Sequence, residues 1–193
     1  MLVFLDSPMA VDVQDVFARY MDELDEQTQK MLAAGDDPLE FPGLKLSRST
    51  RASMAINNIR GTCMIMAGSG MCTGGRVKHH LVHNISRPES TVMFVGYQAQ
   101  GTLGRQILEG AKQVRIFGEN RQVKARITHI NGLSAHGDQH DLLRWLGGFT
   151  SPPRQLFLTH GEEPVALNLA DKVKQTLSWN VSVPEYRSTV DLT

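Results

Sequence analysis

Short apolar runs that end in polar or glycine-rich segments recur along this chain. Three of them, residues 3–7 (VFLDS), 62–67 (TCMIMA) and 90–97 (STVMFVGY), are almost continuously apolar before they end. Runs of this length and composition are typical of strands that are buried in a parallel sheet. Each run is followed by a stretch with helical spacing, and this alternation predicts an α/β fold with a doubly wound, mostly parallel sheet.

The stretches between these strands carry apolar residues at helical spacing. The acidic stretch after the first strand predicts one or two amphipathic helices that end at Gly35. A short strand is predicted at Leu44–Leu46, followed by a short helix that Ser49 or Thr50 caps and that runs through Asn58. Further helices are predicted at residues 76–84, 102–111 and 165–177.

The pattern changes after Val114, where strands follow one another closely. Residues 113–117 (QVRIF) and 122–130 (QVKARITHI) are predicted as two strands that the Gly-Glu-Asn-Arg turn joins, and a terminal strand is predicted at 181–192. This change places a domain junction within residues 106–114. We therefore assign residues 1–110 and 111–193 to different domains.

Two histidines lie where predicted strands stop. His136 follows the strand of residues 125–130, and His160 ends the strand of residues 155–160. Between them Asp138 is predicted to cap a helix that ends at Gly147. A strand-helix-strand unit places parallel strands side by side, so both imidazoles are predicted to meet at one edge of a sheet.

Charge divides the chain although its net charge is zero. Residues 1–40 contain ten acidic and two basic residues, a net charge of −8, and residues 41–126 contain thirteen basic and three acidic residues, a net charge of +10. The basic segment is a candidate surface for a polyanion. The alternative is that the acidic helices pack beside this segment and neutralise it.

Two glycine-rich loops of the basic segment each join a strand to a helix. Glycines let the backbone approach a ligand, and the free N–H groups of a helix start bind phosphate. An arginine in each loop adds a donor for phosphate oxygens. The alternative is a tight turn required for packing alone. The candidate phosphate-binding residues are Ser69, Gly70, Thr73, Gly74, Gly75, Arg76, Gly101, Thr102, Gly104 and Arg105.

Other chemical groups carry weaker signals. His79 and His83 are four residues apart on a predicted helix, but they lack a third ligand in register, which favours a helix face near phosphate over a metal site. Cys63 and Cys72 have no CxxC spacing and are interpreted as structural. The absence of a long apolar run and of a signal-peptide pattern predicts a cytoplasmic protein without a membrane contact.

Five segments together resemble one known family. SAHGD (134–138) and LTHGE (158–162), at their distance, resemble the two histidine motifs called B and C of the β-CASP branch of the metallo-β-lactamase-fold nucleases. LDSPMA (5–10), AGSGMCTGGR (67–76) and VGYQAQGTLGR (95–105) extend the resemblance over nearly the whole chain, in the order that the family has. The resemblance implies a β-CASP domain followed by the C-terminal part of a metallo-β-lactamase αββα sandwich.

The resemblance also implies roles for single residues. By it, His160 is a ligand of a dinuclear zinc site in the intact parent, and His136 is a catalytic group that contacts the scissile phosphate. Asp138 and Glu162 are supporting residues, and the glycine loops line the cleft that binds single-stranded RNA. The parent would be a zinc-dependent ribonuclease of RNA processing or decay, with the missing N-terminal metallo-β-lactamase half as a partner and a homodimer as a further option.

The sequence lacks the HxHxDH motif that holds most of the zinc ligands in that family. We therefore expect this chain alone to bind no stoichiometric zinc and to be inactive. A catalytically silent RNA-binding or regulatory module is an alternative that the sequence leaves open. An unrelated nucleotide-binding enzyme would predict a GxGxxG or GxxxxGK[ST] fingerprint, and neither occurs.

Overall fold

The computed structural model describes residues 1–191, and the fold divides into two compact units. The first runs from Met1 to Ser134, and the second begins at Ala135. The elements of the first unit are β1 (Leu2–Leu5), α1 (Pro8–Phe17), a 3-10 turn (Met21–Glu23), α2 (Glu26–Ala33), β2 (Leu44–Leu46), α3 (Thr50–Ile56), β3 (Cys63–Met66), α4 (Gly75–Asn84), β4 (Thr91–Val95), α5 (Leu103–Leu108), β5 (Gln113–Ile116), β6 (Glu119–Gln122) and β7 (Arg126–Ile130). Those of the second are α6 (Gln139–Leu146), β8 (Leu156–Phe157), α7 (Glu163–Leu177) and β9 (Val181–Ser182).

The strands pair mostly in parallel, which confirms the predicted α/β class. In the first unit β1 lies between β2 and β3, and β4 pairs with β7; all three of these ladders are parallel. β5 and β6 form an antiparallel hairpin. In the second unit β8 and β9 pair in parallel. The parallel ladders place the carboxyl ends of their strands, and the loops that follow them, on one edge.

The core of the first unit lies between α4, α5 and the strands β4 to β7. Its fully buried members include Ile85 after α4, Ile107 in α5 and Ile116 in β5, with Phe94 of β4 beside them. The carbonyl of Ile85 also accepts the N–H groups of both Lys124 and Ala125, each at 2.9 Å. One residue therefore fixes the end of α4 and the path of the chain into β7.

The turn between the closely spaced strands was predicted at residues 118–121, but it begins one residue earlier and is only two residues long. Glu119 to Gln122 form β6, and the turn consists of Phe117 and Gly118, whose φ angles are 50° and 85°. Two positive φ angles in a two-residue loop are the signature of a type I′ turn, the form that fits the twist of a hairpin. The buried Val114 and Ile116 set this register, because a shift by one residue would turn both side chains out of the core.

One further prediction about a strand is wrong. The single strand predicted for residues 122–130 is interrupted where Ile85 binds the backbone of residues 124 and 125, so β6 and β7 are separate. β7 pairs with β4 in the first unit and β8 pairs with β9 in the second, and the predicted meeting of the two histidines at one sheet edge stays a prediction. β7 stays with β4 because Ile127 and Val92, opposite each other in this ladder, pack against the same core.

The compact units divide at a different point from the junction predicted within residues 106–114. β5, β6 and β7 pack with α5 and β4, so the first unit continues to Ser134. The assignment of residues 1–110 and 111–193 to two domains of the family stays a prediction.

The second unit is built on two helices whose ends the sequence predicted. Asp138 accepts the N–H of Asp141 at 2.9 Å, and Asp141 accepts the N–H of Asp138 at 3.2 Å, which is a reciprocal capping box at the start of α6. Leu146 of α6 packs with Val173 of α7 in the core of this unit. The predicted terminal strand is only Val181–Ser182, and its last residue, Leu192, lies outside the described residues.

Among the helices of residues 1–191, none has both the length and the apolar composition that a membrane span requires.

Ile85 provides a direct test of the core. We expect Ile85→Ala to lower the free energy of unfolding by about 2–5 kcal/mol, because it removes a fully buried side chain and leaves a cavity. Met54→Ala is the matched control in the same unit: its side chain is 65% exposed, and the change should stay within about 0.5 kcal/mol. Urea unfolding of both variants measures the difference, and equal midpoints would contradict the assigned core.

Candidate nucleic-acid interface

The first glycine-rich loop connects β3 to α4 in a fixed conformation. Ser69 and Cys72 both have positive φ angles, 40° and 58°, which are unusual for residues with side chains. The N–H of Cys72 donates to the carbonyl of Ser69 at 2.8 Å, and the Cys72 side chain is 2% exposed. Burial of Cys72 holds the loop in this shape. It also raises the pKa of the Cys72 thiol to about 11, which makes the group a structural anchor and not a nucleophile.

The start of α4 offers backbone donors to a ligand. Its N-cap is Gly74, which has no side chain to accept a hydrogen bond, and no acidic residue lies in the first turn. The N–H groups of Gly75, Arg76 and Val77 have no acceptor within the helix, and no hydrogen bond from them is recorded among the described residues. Together with the positive end of the helix dipole, these donors suit a phosphate group.

Two hydroxyl groups of the same loop lie beside this helix start. The Oγ atoms of Ser69 and Thr73 are 3.3 Å apart, and the pair is exposed to solvent. Gly70 is exposed and has open space around its Cα atom. The predicted residues of the first loop are therefore brought together at one helix start, and their contacts to RNA stay predictions.

The Arg76 side chain is turned inward. Its Nη1 donates to Asp6 Oδ1 at 2.8 Å and to the Ser47 carbonyl at 2.6 Å, and its Nη2 donates to the Arg48 carbonyl at 3.2 Å. The side chain is 17% exposed. A guanidinium bound in this way supports the loop and the strand end, and its predicted contact with phosphate stays a prediction.

Asp6 is the centre of this arrangement, and its side chain is fully buried. Besides Arg76, it accepts from the Ser53 hydroxyl at 2.6 Å and pairs with His80 Nε2 at 2.6 Å. The other ring nitrogen of His80 lies 3.3 Å from Asn57 Oδ1. The carboxylate thus joins the end of β1 to α3 and α4.

The environment of Asp6 favours its charged form. Burial raises the pKa of this carboxyl, but hydrogen bonds from Ser53, His80 and Arg76 lower it by more, so the pKa lies below its ordinary value. The Ser47 hydroxyl also favours the charged form, although its oxygen makes no hydrogen bond of normal geometry with the described residues.

Sequence reasoning did not identify the partnership of His80 with Asp6. The signal was present in the helical pattern. His80 lies next to Leu81 and three residues after Val77, on the face of α4 that packs inward. A histidine on a buried face requires a polar partner, although the sequence does not show which residue provides it.

The second glycine-rich loop packs against the first. Gly104 is buried, and its N–H donates to the Met71 carbonyl at 2.9 Å. A Cβ atom on Gly104 would lie 1.9 Å from Gln98 Oε1 and 3.0 Å from the Met71 carbonyl oxygen, so a larger residue would require Gln98 to move. The absent side chain of Gly104 thus serves the packing of the two loops, and its role toward RNA stays a prediction.

Thr102 and Arg105 also have partners within the protein. The Thr102 hydroxyl donates to the Ala99 carbonyl at 2.6 Å and accepts the Arg105 N–H at 3.2 Å, which caps the short helix α5. Arg105 donates to the Gln98 carbonyl at 3.1 Å and to Glu109 at 2.6 Å. Gly101 is exposed with a φ angle of 77°. The roles of these residues toward RNA stay predictions.

The two predicted site histidines lie in the second unit. His136 is exposed just before α6, and His160 is exposed just before α7, with a φ angle of 66°. Asp138 is the N-cap of α6, and a backbone hydrogen bond from Asp141 lowers its pKa. Glu162 is the N-cap residue of α7. The helix-capping role of Asp138 is confirmed, and the roles of His136, His160 and Glu162 in a metal site stay predictions.

In the part of the chain that the structure describes, no three His, Cys, Asp or Glu side chains are grouped closely enough to hold a metal ion.

The fold is of the α/β class, and comparison with known sequences specifies the family. The sequence model of the Beta-Casp domain matches residues 1–107, and that of the Zn-dependent metallo-hydrolase RNA specificity domain matches residues 120–184. The chain belongs to the β-CASP family. This membership confirms the resemblance on which the predicted fold and nuclease class depend.

Curated relatives agree with this assignment. Ribonuclease TTHA0252 of Thermus thermophilus is 41% identical over 167 residues, which are 86% of this chain and 38% of the relative. Transcription termination factor FttA of Methanocaldococcus jannaschii is 31% identical over 189 residues, 94% of this chain and 30% of that protein. The chain thus spans between about three tenths and two fifths of the length of these relatives.

The Asp6 cluster yields a prediction about stability. We expect Asp6→Asn to lower the free energy of unfolding by about 3–5 kcal/mol, because it leaves the largely buried Arg76 without its charge partner. Asp15→Asn is the control: Asp15 pairs with Arg48 at the surface, where the loss should be small. Thermal unfolding at neutral pH measures both.

The same cluster predicts how stability depends on pH. The pKa of Asp6 is lower in the folded than in the unfolded chain, so its charged form stabilises the fold above the unfolded value and this contribution is lost as pH falls through the folded value. Asp6→Asn should therefore show a smaller loss of stability below about pH 4 than the unmodified chain. Equal losses of stability on acidification in Asp6→Asn and in the unmodified chain would contradict the lowered pKa of Asp6.

Proposed function

We propose that this chain is the RNA-binding part of a zinc-dependent ribonuclease. In this proposal the start of α4 binds the sugar-phosphate backbone of single-stranded RNA. The observation that carries the proposal is the uncapped first turn of α4, where three backbone N–H groups face a loop with two exposed hydroxyls. The matched family name, RNA specificity domain, and the relative named as a ribonuclease support RNA as the ligand.

Backbone donors determine which kind of recognition is possible. N–H groups at a helix start contact phosphate oxygens and read no base, so binding should depend little on RNA sequence. The internal bonds of Arg76 and Arg105 keep the two loops in place without a ligand. The site is therefore preorganised, and binding does not have to order the loop first.

The two histidines of the second unit complete the proposal. His160 would be one zinc ligand among others that the rest of the protein supplies, and His136 would contact the scissile phosphate. Imidazole suits both roles because a neutral ring binds metal and because its ordinary pKa lies near neutrality. Since the donor set in this chain is incomplete, the chain by itself should not turn over RNA.

A second candidate is a catalytically silent RNA-binding module. Its RNA site would be the same start of α4, whose backbone N–H groups bind phosphate without a metal. Both candidates share RNA binding, and they differ only in whether a metal-binding half acts together with this chain.

Gly74 allows a sharp test of the phosphate site. Its φ and ψ angles, −157° and −161°, are extended, and no atom lies within 4 Å of a Cβ atom built on it, so other residues fit there. Gly74→Asp should cap α4, occupy its free N–H groups and repel phosphate. We expect the affinity for a fluorescent oligouridylate to fall about tenfold or more. The dependence of log affinity on log salt concentration should become shallower by about 1 in slope.

Gly74→Asn and Gly74→Ala are the matched controls. Asparagine caps without charge and should weaken binding less than aspartate, and alanine should change it little. Fluorescence anisotropy over a series of salt concentrations distinguishes these cases. An unchanged affinity of Gly74→Asp, at a thermal stability equal to or above that of the unmodified chain, would remove the start of α4 from the site.

A metal measurement tests the incomplete donor set. After equilibrium dialysis against zinc, we expect this chain to retain well under one tightly bound zinc ion, because a stable site needs several ligands. His160→Ala should not change the retained amount. About two zinc ions per chain, measured by elemental analysis, would contradict the proposal that the remaining ligands lie outside this chain.

A further inference from the structure

The tip of the β5–β6 hairpin lies over α4 and presents an aromatic ring. The Phe117 side chain is 55% exposed. Its ring centroid lies 4.7 Å from that of His79, with 36° between the ring planes, and Lys78 Nζ lies 4.6 Å from the same ring centroid. An exposed aromatic ring beside an imidazole and an ammonium group is a surface on which a planar ligand can stack.

The backbone at Phe117 is unfavourable for the residue that it carries. Its φ angle of 50° places a bulky side chain in the left-handed region, at the turn position where asparagine is preferred. Burial does not compensate for this strain, because more than half of the side chain remains exposed. A strained residue that the core does not require indicates a function at the surface.

The position along α4 connects this ring to the phosphate site. Gly75, His79 and His83 follow one another at intervals of four residues, so they lie on one face of the helix. His79 is about 6 Å along the axis from the helix start, a distance that a nucleotide can bridge. Lys78 adds a positive charge beside the ring, and the segment that carries both residues, 41–126, has a net charge of +10, which favours a polyanion.

We propose that Phe117, with His79 and Lys78 beside it, forms a base-stacking subsite for single-stranded RNA whose phosphate is bound at the start of α4. The inference rests on the proposed function and adds a second, independent contact to it. Stacking on an aromatic face is sequence-tolerant, because every base has such a face. The subsite would bind one base without selecting among the four bases.

The competing explanation is that Phe117 only fastens the hairpin to α4. Phe117→Asn separates the two explanations, because asparagine suits the type I′ turn and removes the ring. A stacking residue predicts a variant of equal or higher thermal stability that binds a short oligouridylate roughly 5- to 100-fold more weakly. A fastening residue predicts lower stability with unchanged affinity.

Three comparisons sharpen this experiment on the full chain. Phe117→Tyr keeps an aromatic face and should bind like the unmodified chain. Tyr186→Ala is the matched control, since Tyr186 is 89% exposed and its ring also lies beside a cation, Arg187, at 5.2 Å. An abasic oligomer of the same length should bind the unmodified chain as weakly as oligouridylate binds Phe117→Asn, and it should show no further loss with that variant.

The outcomes distinguish the inference from the function on which it rests. If the unmodified chain binds oligouridylate and Phe117→Asn binds it equally well, the stacking subsite is wrong and the phosphate site stands. If Phe117→Asn loses the same factor with the abasic oligomer as with oligouridylate, the ring acts without stacking and the inference is also wrong. If the unmodified chain binds neither oligomer, both the inference and the proposed function are overturned.

Discussion

A single buried carboxylate joins three elements of the first unit of this protein. Asp6 ends the central strand β1, and its oxygens bind groups from α3 and from α4. A buried charge of this kind is stable only while every partner is in place, so the relative positions of these three elements are tightly coupled. The first turn of α4, where the RNA backbone is proposed to bind, takes its position from this coupling through Arg76.

The glycines of the two loops serve different physical purposes. Gly74 leaves the start of α4 uncapped and therefore open to a ligand, whereas Gly104 leaves room for the buried Gln98 side chain. The Gln98 Oε1 atom has no hydrogen-bond partner among the described residues, which shows how closely the loops are packed around it. Because internal contacts hold the two loops in place, the exposed backbone N–H groups at the start of α4 keep a fixed geometry.

The features that the sequence predicted correctly are determined by residues that lie close together in the sequence. The helix caps Ser49 and Asp138 and the strand Leu44–Leu46 follow from local patterns, and the structure has them at the predicted residues. The family motifs likewise lie in continuous segments. These features are encoded within a few residues and require no knowledge of the remaining fold.

What the sequence did not predict is set by contacts between distant residues. The hairpin register follows from which side chains of β5 face the core, and the partner of β7 follows from a core that it shares with β4. His80 and Arg76 take their roles from Asp6, 74 and 70 residues away in sequence. A motif shows that an arginine is present, but only the fold shows that its guanidinium is bound internally.

The position of β1 between β2 and β3 also has a kinetic consequence. Both partners of this strand come later in sequence, and the ladder with β3 joins residues about sixty positions apart. The sheet therefore forms only after long loops have closed, and such non-local parallel pairing is slow compared with helix formation. Until then β1 is a short apolar strand with two open edges, so the folding chain passes through a stage in which it is prone to association.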